Sequence, residues 1–247
     1  MELKEFFLEH PKAAVAFSGG VDSAYLLAEA LRCGADVRPY CAVTAFQPAF
    51  ERREAEELCR SLGVELVTVE RDILSVPRVA ANPADRCYHC KTAIFTALIE
   101  RAAEDGYTLI LDGTNASDDA LDRPGMRALG ELGVLSPLRL CGLTKAEIRR
   151  RSKELGLPTW DKPAYACLAT RIPTGEPIEP EKLRRVEGAE EALRELGYSD
   201  LRVRFFHGAA RVQLPGAQLE RAARERARLR EALKPWFGIV LIDLEER

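Results

Sequence analysis

The sequence predicts an α/β protein: a parallel sheet with helices on both faces, followed by a small α+β domain. Three observations carry that prediction. Ala13-Ala14-Val15-Ala16-Phe17 is an unbroken apolar run, as a strand buried on both faces requires. Helix-like and strand-like periods then alternate as far as Gly156. Beyond the loop Arg171-Ile172-Pro173-Thr174-Gly175-Glu176-Pro177 the order becomes helix-strand-strand-helix-strand, which places a domain boundary at residue 172, between 1–172 and 173–247.

Each element has a local reason. Ala24, Leu27, Ala28 and Leu31 recur at helical spacing, and Gly34 stops the run. Residues 36–44 read as a second strand, 50–62 as a helix stopped by Gly63, and 64–69 as a third strand. A proline-bearing loop surrounds Asn82-Pro83-Ala84-Asp85; a helix over 89–104 and a strand over 108–111 follow. Thr144-Lys145-Ala146-Glu147 has the form of a capping box, so a helix starts there. In the second domain, a helix over 180–196 precedes alternating strands at 201–205 and 210–214, split by His207-Gly208. A charged helix over 217–233 and an apolar strand over 239–244 complete the chain, and the basic run 221–230 reads as a solvated helix face.

The 247 residues are 47% hydrophobic, enough for a sizeable core, and the net charge of −3 gives no global signal for nucleic acid. No apolar run approaches the ~20 residues needed to cross a membrane. Residues 1–12, MELKEFFLEHPK, are acidic and amphipathic without a signal-peptide core, so a cytoplasmic protein is expected. Seven cysteines in a reducing compartment are not expected to pair structurally. Cys33, Cys41, Cys59 and Cys141 fall on helices, a strand and a turn, where core packing is the default.

Chemistry concentrates in two places. Ser18-Gly19-Gly20-Val21-Asp22-Ser23 joins a buried strand to a helix N-terminus. Glycines permit a tight turn and close approach of an anion, the helix start supplies unsatisfied N–H groups, and the serines add hydroxyls. It is neither a Walker A loop nor a dinucleotide fingerprint, because Gly-Lys-Ser/Thr and Gly-x-Gly-x-x-Gly are both missing. The second place is Arg86-Cys87-Tyr88-His89-Cys90-Lys91, with a third cysteine, Cys167, in a later loop. A Cys-x-x-Cys pair alone fits a redox disulfide, half a zinc site or half an iron–sulfur site. His89 reads as a surface helix residue.

The Ser-Gly-Gly-x-Asp-Ser string resembles the pyrophosphate loop of enzymes that cleave ATP between its α and β phosphates. Together with Arg86–Thr92, Leu111–Asn115, Arg123-Pro124-Gly125, Ala164–Gly175 and Leu201–Phe205, the chain resembles the LarE family of ATP-dependent sulfur transferases. That resemblance implies the adenine nucleotide alpha hydrolase-like fold. It implies a mononucleotide substrate, pyridinium-3,5-biscarboxylic acid mononucleotide, whose carboxylate is adenylylated and converted to a thiocarboxylate. Family members with one cysteine matching Cys167 consume its sulfur. Members with three hold a [4Fe–4S] cluster. Cys87, Cys90 and Cys167 are all present, so the cluster version is expected, with ATP and Mg²⁺ as the other cofactors.

Carried to this sequence, the resemblance assigns ATP to Ser18, Gly19, Gly20, Asp22, Ser23, Thr44, Lys91, Gly113 and Asn115, with Asp22 bridging through Mg²⁺. Cys167, Asp22, Arg171 and Glu190 are the catalytic candidates. Arg202, Arg204, Arg211 and Arg123 are the candidates for the anionic substrate; Arg202 and Arg204 alternate on a strand and so share one face. A homo-oligomer without nucleic-acid or membrane partners is expected, with a sulfide donor that the sequence does not identify. Two departures stand out: Asp122 replaces the tyrosine usual before Arg-Pro-Gly, and Gln213 stands where an acidic residue is usual. The rivals are a related enzyme with another acceptor, such as a tRNA thiolase or an amide-forming ligase, and a nucleotide- and metal-sensing protein without turnover.

Overall fold

Lys12–Ala16 (β1) has no polar face, and the fold buries it on both sides. Ala13 and Val15 point into one core and Ala14 into another. The computed structural model describes residues 1–118 and 124–245. Contacts divide the chain into two units, residues 1–76 with 85–164, and residues 77–84 with 165–247. The division falls between Ala164 and Tyr165, earlier than residue 172, because Tyr165 and Arg171 bond to Glu190 of the second unit.

In the first unit, α1 (Leu3–Glu9) precedes β1, then α2 (Val21–Arg32), β2 (Asp36–Val43), α3 (Ala49–Ser61) and β3 (Val67–Glu70). The short α4 (Pro77–Ala80) belongs to the second unit, and α5 (Arg86–Glu104) returns the chain to the first. There follow β4 (Ile110–Leu111), α6 (Pro124–Glu131), α7 (Pro137–Leu140) and α8 (Lys145–Glu154). The strands lie in the order β3-β2-β1-β4, all parallel. Residues of α1, α2, α3, α7 and α8 join the core that contains Ala13 and Val15; α5 and α6 join the one that contains Ala14. The predicted two-sided parallel sheet is therefore present.

The differences at element ends have local causes. The third strand starts at Val67 rather than 64 because Gly63 takes a positive φ of 74° and the Val64 N–H returns to the Cys59 carbonyl, closing α3. The helix expected from residue 89 starts at Arg86, so both Cys87 and Cys90 lie in its opening turns. Thr144 caps α8 by accepting from the Glu147 N–H, while the Glu147 carboxylate turns to Arg150 and Arg151.

The second unit contains α9 (Pro180–Glu195), β5 (Arg202–Phe206), β6 (Ala209–Gln213), α10 (Gly216–Arg224), α11 (Arg226–Leu233) and β7 (Val240–Ile242). The single charged helix expected over 217–233 is two helices that part at Glu225, whose carboxylate is held by Tyr198 and Arg221. The sheet order is β5-β6-β7, with β5 antiparallel to β6 and β7 parallel to it. Val203, Phe205, Ala210 and Val212 are buried, while Arg202, Arg204 and Arg211 share the opposite face. Asn82, at φ 55°, ties residues 77–84 to this unit by donating to the carbonyls of Pro173 and Glu176.

Gly188 lies in α9 against the Trp236 ring, and a Cβ there would stand 2.4 Å from the ring. Gly188→Ala is expected to cost about 1–3 kcal/mol of stability, because the ring has to leave its place. Denaturant unfolding of the variant against the parent measures it.

Candidate active site

The polypeptide leaves β1 at Ala16 and enters α2 at Val21, so the intervening loop stands at the carboxyl edge of the sheet. β1 has β2 on one side and β4 on the other; the chain order reverses here, and open α/β sheets bind ligands at such a point. Gly19 turns with φ 70°, which a side chain rarely adopts, and a Cβ on it would stand 3.0 Å from Ala55 of α3. Ser18 and Ser23 close the turn: the Ser18 N–H donates to Ser23 Oγ at 3.3 Å, the two hydroxyls are 3.2 Å apart, and the Gly20 N–H donates to Ser18 Oγ at 3.4 Å. The first bond within the helix runs from the Ala24 N–H to the Gly20 carbonyl, so the N–H groups of Val21, Asp22 and Ser23 have no intrahelical acceptor. Oriented donors at the positive end of a twelve-residue helix make an anion site.

The turn after β4 meets this loop. A Cβ on Gly113 would lie 2.9 Å from the Ser23 nitrogen, so the two backbones touch. Asp112 holds that turn: its carboxylate accepts from the Thr114 N–H at 3.3 Å, Thr114 Oγ1 at 2.5 Å and Ser136 Oγ at 2.6 Å. Asn115 is buried and accepts the Ser117 N–H at 2.8 Å. Thr44 follows β2, and its hydroxyl accepts the Phe46 N–H at 3.2 Å. The predicted ATP residues from β1, β2 and β4 thus gather at one edge of the sheet.

Two lysines join them that the sequence reading did not select. Lys145 Nζ donates to Asp22 Oδ2 at 2.5 Å, and Lys162 Nζ donates to the Gly19 carbonyl at 3.1 Å while 2.7 Å from Glu54. Lys145 opens α8, where the helix dipole disfavours a cation; that misplacement was the available signal for an anionic partner. Lys162 carried no such mark. Burial pushes the Asp22 carboxyl above its ordinary range, with the Lys145 bond opposing the shift. Its Oδ1 atom is buried without a hydrogen-bond partner among the described residues. An orphaned carboxylate oxygen is a donor that a hard cation accepts, so Asp22 fits Mg²⁺.

None of the seven cysteines is in a disulfide. Cys87 is exposed and Cys90 half-buried, three positions apart in the opening turns of α5, with Arg86 Nη2 3.8 Å from Cys87 Sγ. Lys91 lies with its stem against Gly125, where a Cβ would stand 2.9 Å from Lys91 Cδ. Cys167 is exposed in the second unit and caps the helical turn Leu168–Arg171. Thiol donors are the right chemistry for an iron–sulfur cluster. Among the described residues no three His, Cys, Asp or Glu side chains gather as a metal site.

Arg171 and Glu190 are fully buried and face each other, with Arg171 Nε donating to Glu190 Oε1 at 2.8 Å. Glu190 also accepts from Tyr165 Oη, Arg194 and the Val203 N–H, and Arg171 donates to the Ala166 carbonyl at 2.9 Å. The network therefore braces the segment that carries Cys167. Arg204 and Arg211 face each other across β5 and β6, and Arg202 is opposite Gln213. Burial, reinforced by Arg171, lowers Arg202 below the ordinary arginine range; burial, with Arg202, Arg171 and Arg211 nearby, lowers Arg204. Nε of Arg202 and of Arg211 is buried without a hydrogen bond among the described residues, although Arg211 Nε is 3.1 Å from Asp243 in charge contact. Gln213, at the usually acidic position, accepts from Arg204 at 2.5 Å and donates to Asp243 at 2.9 Å. A cavity of about 320 Å³ opens here, lined by Arg204, Arg211, Phe206, Pro173 and Thr174 among others. Arg123 lies outside the described residues, as do Asp119 and Asp122.

The family model described as asparagine synthase matches residues 9–119. The chain is 34% identical to the pyridinium-3,5-bisthiocarboxylic acid mononucleotide synthase of Lactiplantibacillus plantarum over 212 residues, 84% of this chain and 76% of that one. It belongs to the LarE family. An uncharacterised protein of Synechocystis is 38% identical over 98% of this chain and 91% of its own. More distantly, the tRNA-specific 2-thiouridylase of Frankia alni is 27% identical over 62% of this chain and 53% of its own. This LarE protein is an ATP-dependent sulfurtransferase. Among its described residues no helix is long and apolar enough to cross a membrane.

Two substitutions test this LarE site. Gly113→Ala drives the β4 turn off the loop and is expected to lower pyrophosphate release from ATP about 10²-fold, with the circular dichroism spectrum unchanged. Glu190→Ala leaves the Arg171 guanidinium buried and unpaired; a loss of about 3–5 kcal/mol is expected in denaturant unfolding.

Proposed function

We propose that this LarE protein adenylylates a carboxylate of pyridinium-3,5-biscarboxylic acid mononucleotide and replaces its activated oxygen with sulfur. The observation that carries the reading is that the chain holds two anion sites of different chemistry: the dipole-lined loop Ser18–Ser23 and the guanidinium face of Arg202, Arg204 and Arg211. The loop suits the pyrophosphate that departs from ATP. The arginines suit the substrate phosphate, because they are poorly compensated cations that a bidentate anion relieves.

In the reaction a carboxylate oxygen attacks the α phosphorus, the bond to the β-phosphate oxygen breaks, and pyrophosphate leaves. Charge that grows on the leaving group is met by the N–H groups of residues 21–23, by the Ser18 and Ser23 hydroxyls and by Lys162. Asp22 would hold Mg²⁺ through Oδ1, and the cation would neutralise phosphate charge. A sulfur nucleophile then attacks the acyl carbon, AMP departs, and a thiocarboxylate remains. Cys87, Cys90 and Cys167 would hold the [4Fe–4S] cluster, which would supply the sulfur that is transferred. Arg171 and Glu190 act on the Cys167 turn, holding its backbone through the Ala166 carbonyl. The cytoplasm, which keeps thiols reduced, is the compartment this chemistry needs.

Pyrophosphate release is expected with ATP plus the pyridinium dicarboxylate mononucleotide, and not with ATP alone. Release that requires tRNA instead would replace this reading with a tRNA thiolase. Release under no condition would favour a sensor. Anaerobically purified protein should carry iron that Cys87→Ala loses, and Cys167 should keep its mass after turnover. A loss of one H₂S from Cys167 would mean that the residue gives up its own sulfur, and the cluster assignment would fall.

A further inference from the structure

Lys145 is the first residue of α8, at a helix end whose unsatisfied N–H groups already make the surroundings positive. Its backbone N–H is secured by Ser117 Oγ at 3.0 Å, so the α-carbon is fixed and the long side chain is what can move. The ammonium spans to the first turn of α2 and reaches Asp22 Oδ2 at 2.5 Å. Asp22 is thereby divided. One oxygen is taken by Lys145; the other is buried and lacks a hydrogen-bond partner among the described residues. Both side chains remain partly open, at 33% and 22% exposure, so a ligand has access to the pair. Asp118 and Arg149 also act on the carboxylate, but Arg149 spends its terminal nitrogens on the carbonyls of Trp160 and Lys162, at 2.7 and 2.8 Å. Lys145 is thus the cation in hydrogen-bond contact with it.

A pair kept for stability alone would have both oxygens satisfied, since an orphaned buried oxygen is costly. This one is half-satisfied, beside a loop built for phosphate. Resting on the pyrophosphate-loop reading, we propose that Lys145 is a displaceable counter-ion: it neutralises Asp22 while the loop is empty, gives the carboxylate up to a divalent cation, and then turns to phosphate oxygens. One carboxylate cannot compensate an ammonium and a dication together, so binding of one weakens the hold on the other. The freed ammonium remains next to the N-terminus of α2, where the anion belongs.

The test uses the full-length, nucleotide-free protein with Mn²⁺ followed by electron paramagnetic resonance and inorganic pyrophosphate followed by calorimetry. Lys145→Met is expected to bind Mn²⁺ about tenfold tighter and pyrophosphate about tenfold weaker. Lys145→Arg, which keeps the charge, should leave Mn²⁺ binding as weak as in the parent. Unchanged or weakened Mn²⁺ binding by Lys145→Met, with an unchanged melting temperature, would overturn the proposal. A second measurement needs no variant: Mn²⁺ should speed amine-reactive labelling of Lys145, read by peptide mass spectrometry, and pyrophosphate should suppress it again. Labelling indifferent to Mn²⁺ would overturn the proposal as well. Asp22→Asn separates the levels, because its retention of parental Mn²⁺ affinity would remove the cation assignment itself, and the proposal with it.

Discussion

Between Gly113 and Ser23 there is no space for a methyl group, and the geometry of the nucleotide loop depends on that. β1 and β4 are neighbours in the sheet, so the turns that leave them emerge side by side. Any side chain at residue 113 would hold them apart; the bare glycine lets the turn after β4 press on the first turn of α2. On its other side the loop rests against Ala55 of α3 through Gly19. The donors are therefore fixed from two sides before a ligand arrives. That is the condition under which they stabilise developing charge without reorganising. Asp112 belongs to the same construction: its carboxylate holds Thr114 and Ser136, which set the β4 turn.

The second unit solves a different problem with a buried charge. Glu190 has no solvent and five donors: Arg171 through Nε and Nη2, Arg194, Tyr165 and the Val203 N–H. Removing a buried ion pair in favour of apolar packing is often neutral for stability, so burial energy is a weak reason for one to exist. What this pair achieves is order. It joins the segment 165–171, α9 and the start of β5, and Arg204 of β5 adds a bond to the Thr170 carbonyl at 2.8 Å. The Cys167 turn inherits that order, because its flanking Ala166 carbonyl is held by Arg171. In the proposed reaction the roles of Arg171 and Glu190 are therefore indirect, through the cysteine turn they position.

Much of the architecture was legible because its signals are local. The apolar run at residues 13–17 and the helical spacing after the loop each depend on neighbours in sequence, and each corresponds to an observed element. The glycines of the loop were legible for the same reason. The two lysines were harder to find, since Lys145 and Lys162 reach the loop across more than a hundred residues; the place of Lys145 at a helix N-terminus hints at an anionic partner without saying which, and nothing near Lys162 points there. The destination of residues 77–84 was equally hidden: Asn82 is bonded to carbonyls about ninety residues on. The break at Glu225 escaped notice because the residues on both sides keep a helical pattern; the contacts that hold Glu225 come from Tyr198 and Arg221.

In the proposed reaction the two anion sites differ in a way that matches what each ligand has to do. A leaving group must be stabilised as it forms and then released, so fixed full charges would retain it too strongly. The loop accordingly offers N–H groups, hydroxyls and lysines on flexible stems, Lys145 held by Asp22 and Lys162 by Glu54. A substrate phosphate has the opposite requirement, because it must stay while a carboxylate at the other end of the molecule reacts. Guanidinium groups on a sheet, spaced by the strand register and repelling one another until an anion arrives, meet it. In that reaction, binding energy gathered at a phosphate remote from the reacting carboxylate can be spent on the transition state rather than on a tighter grip on pyrophosphate.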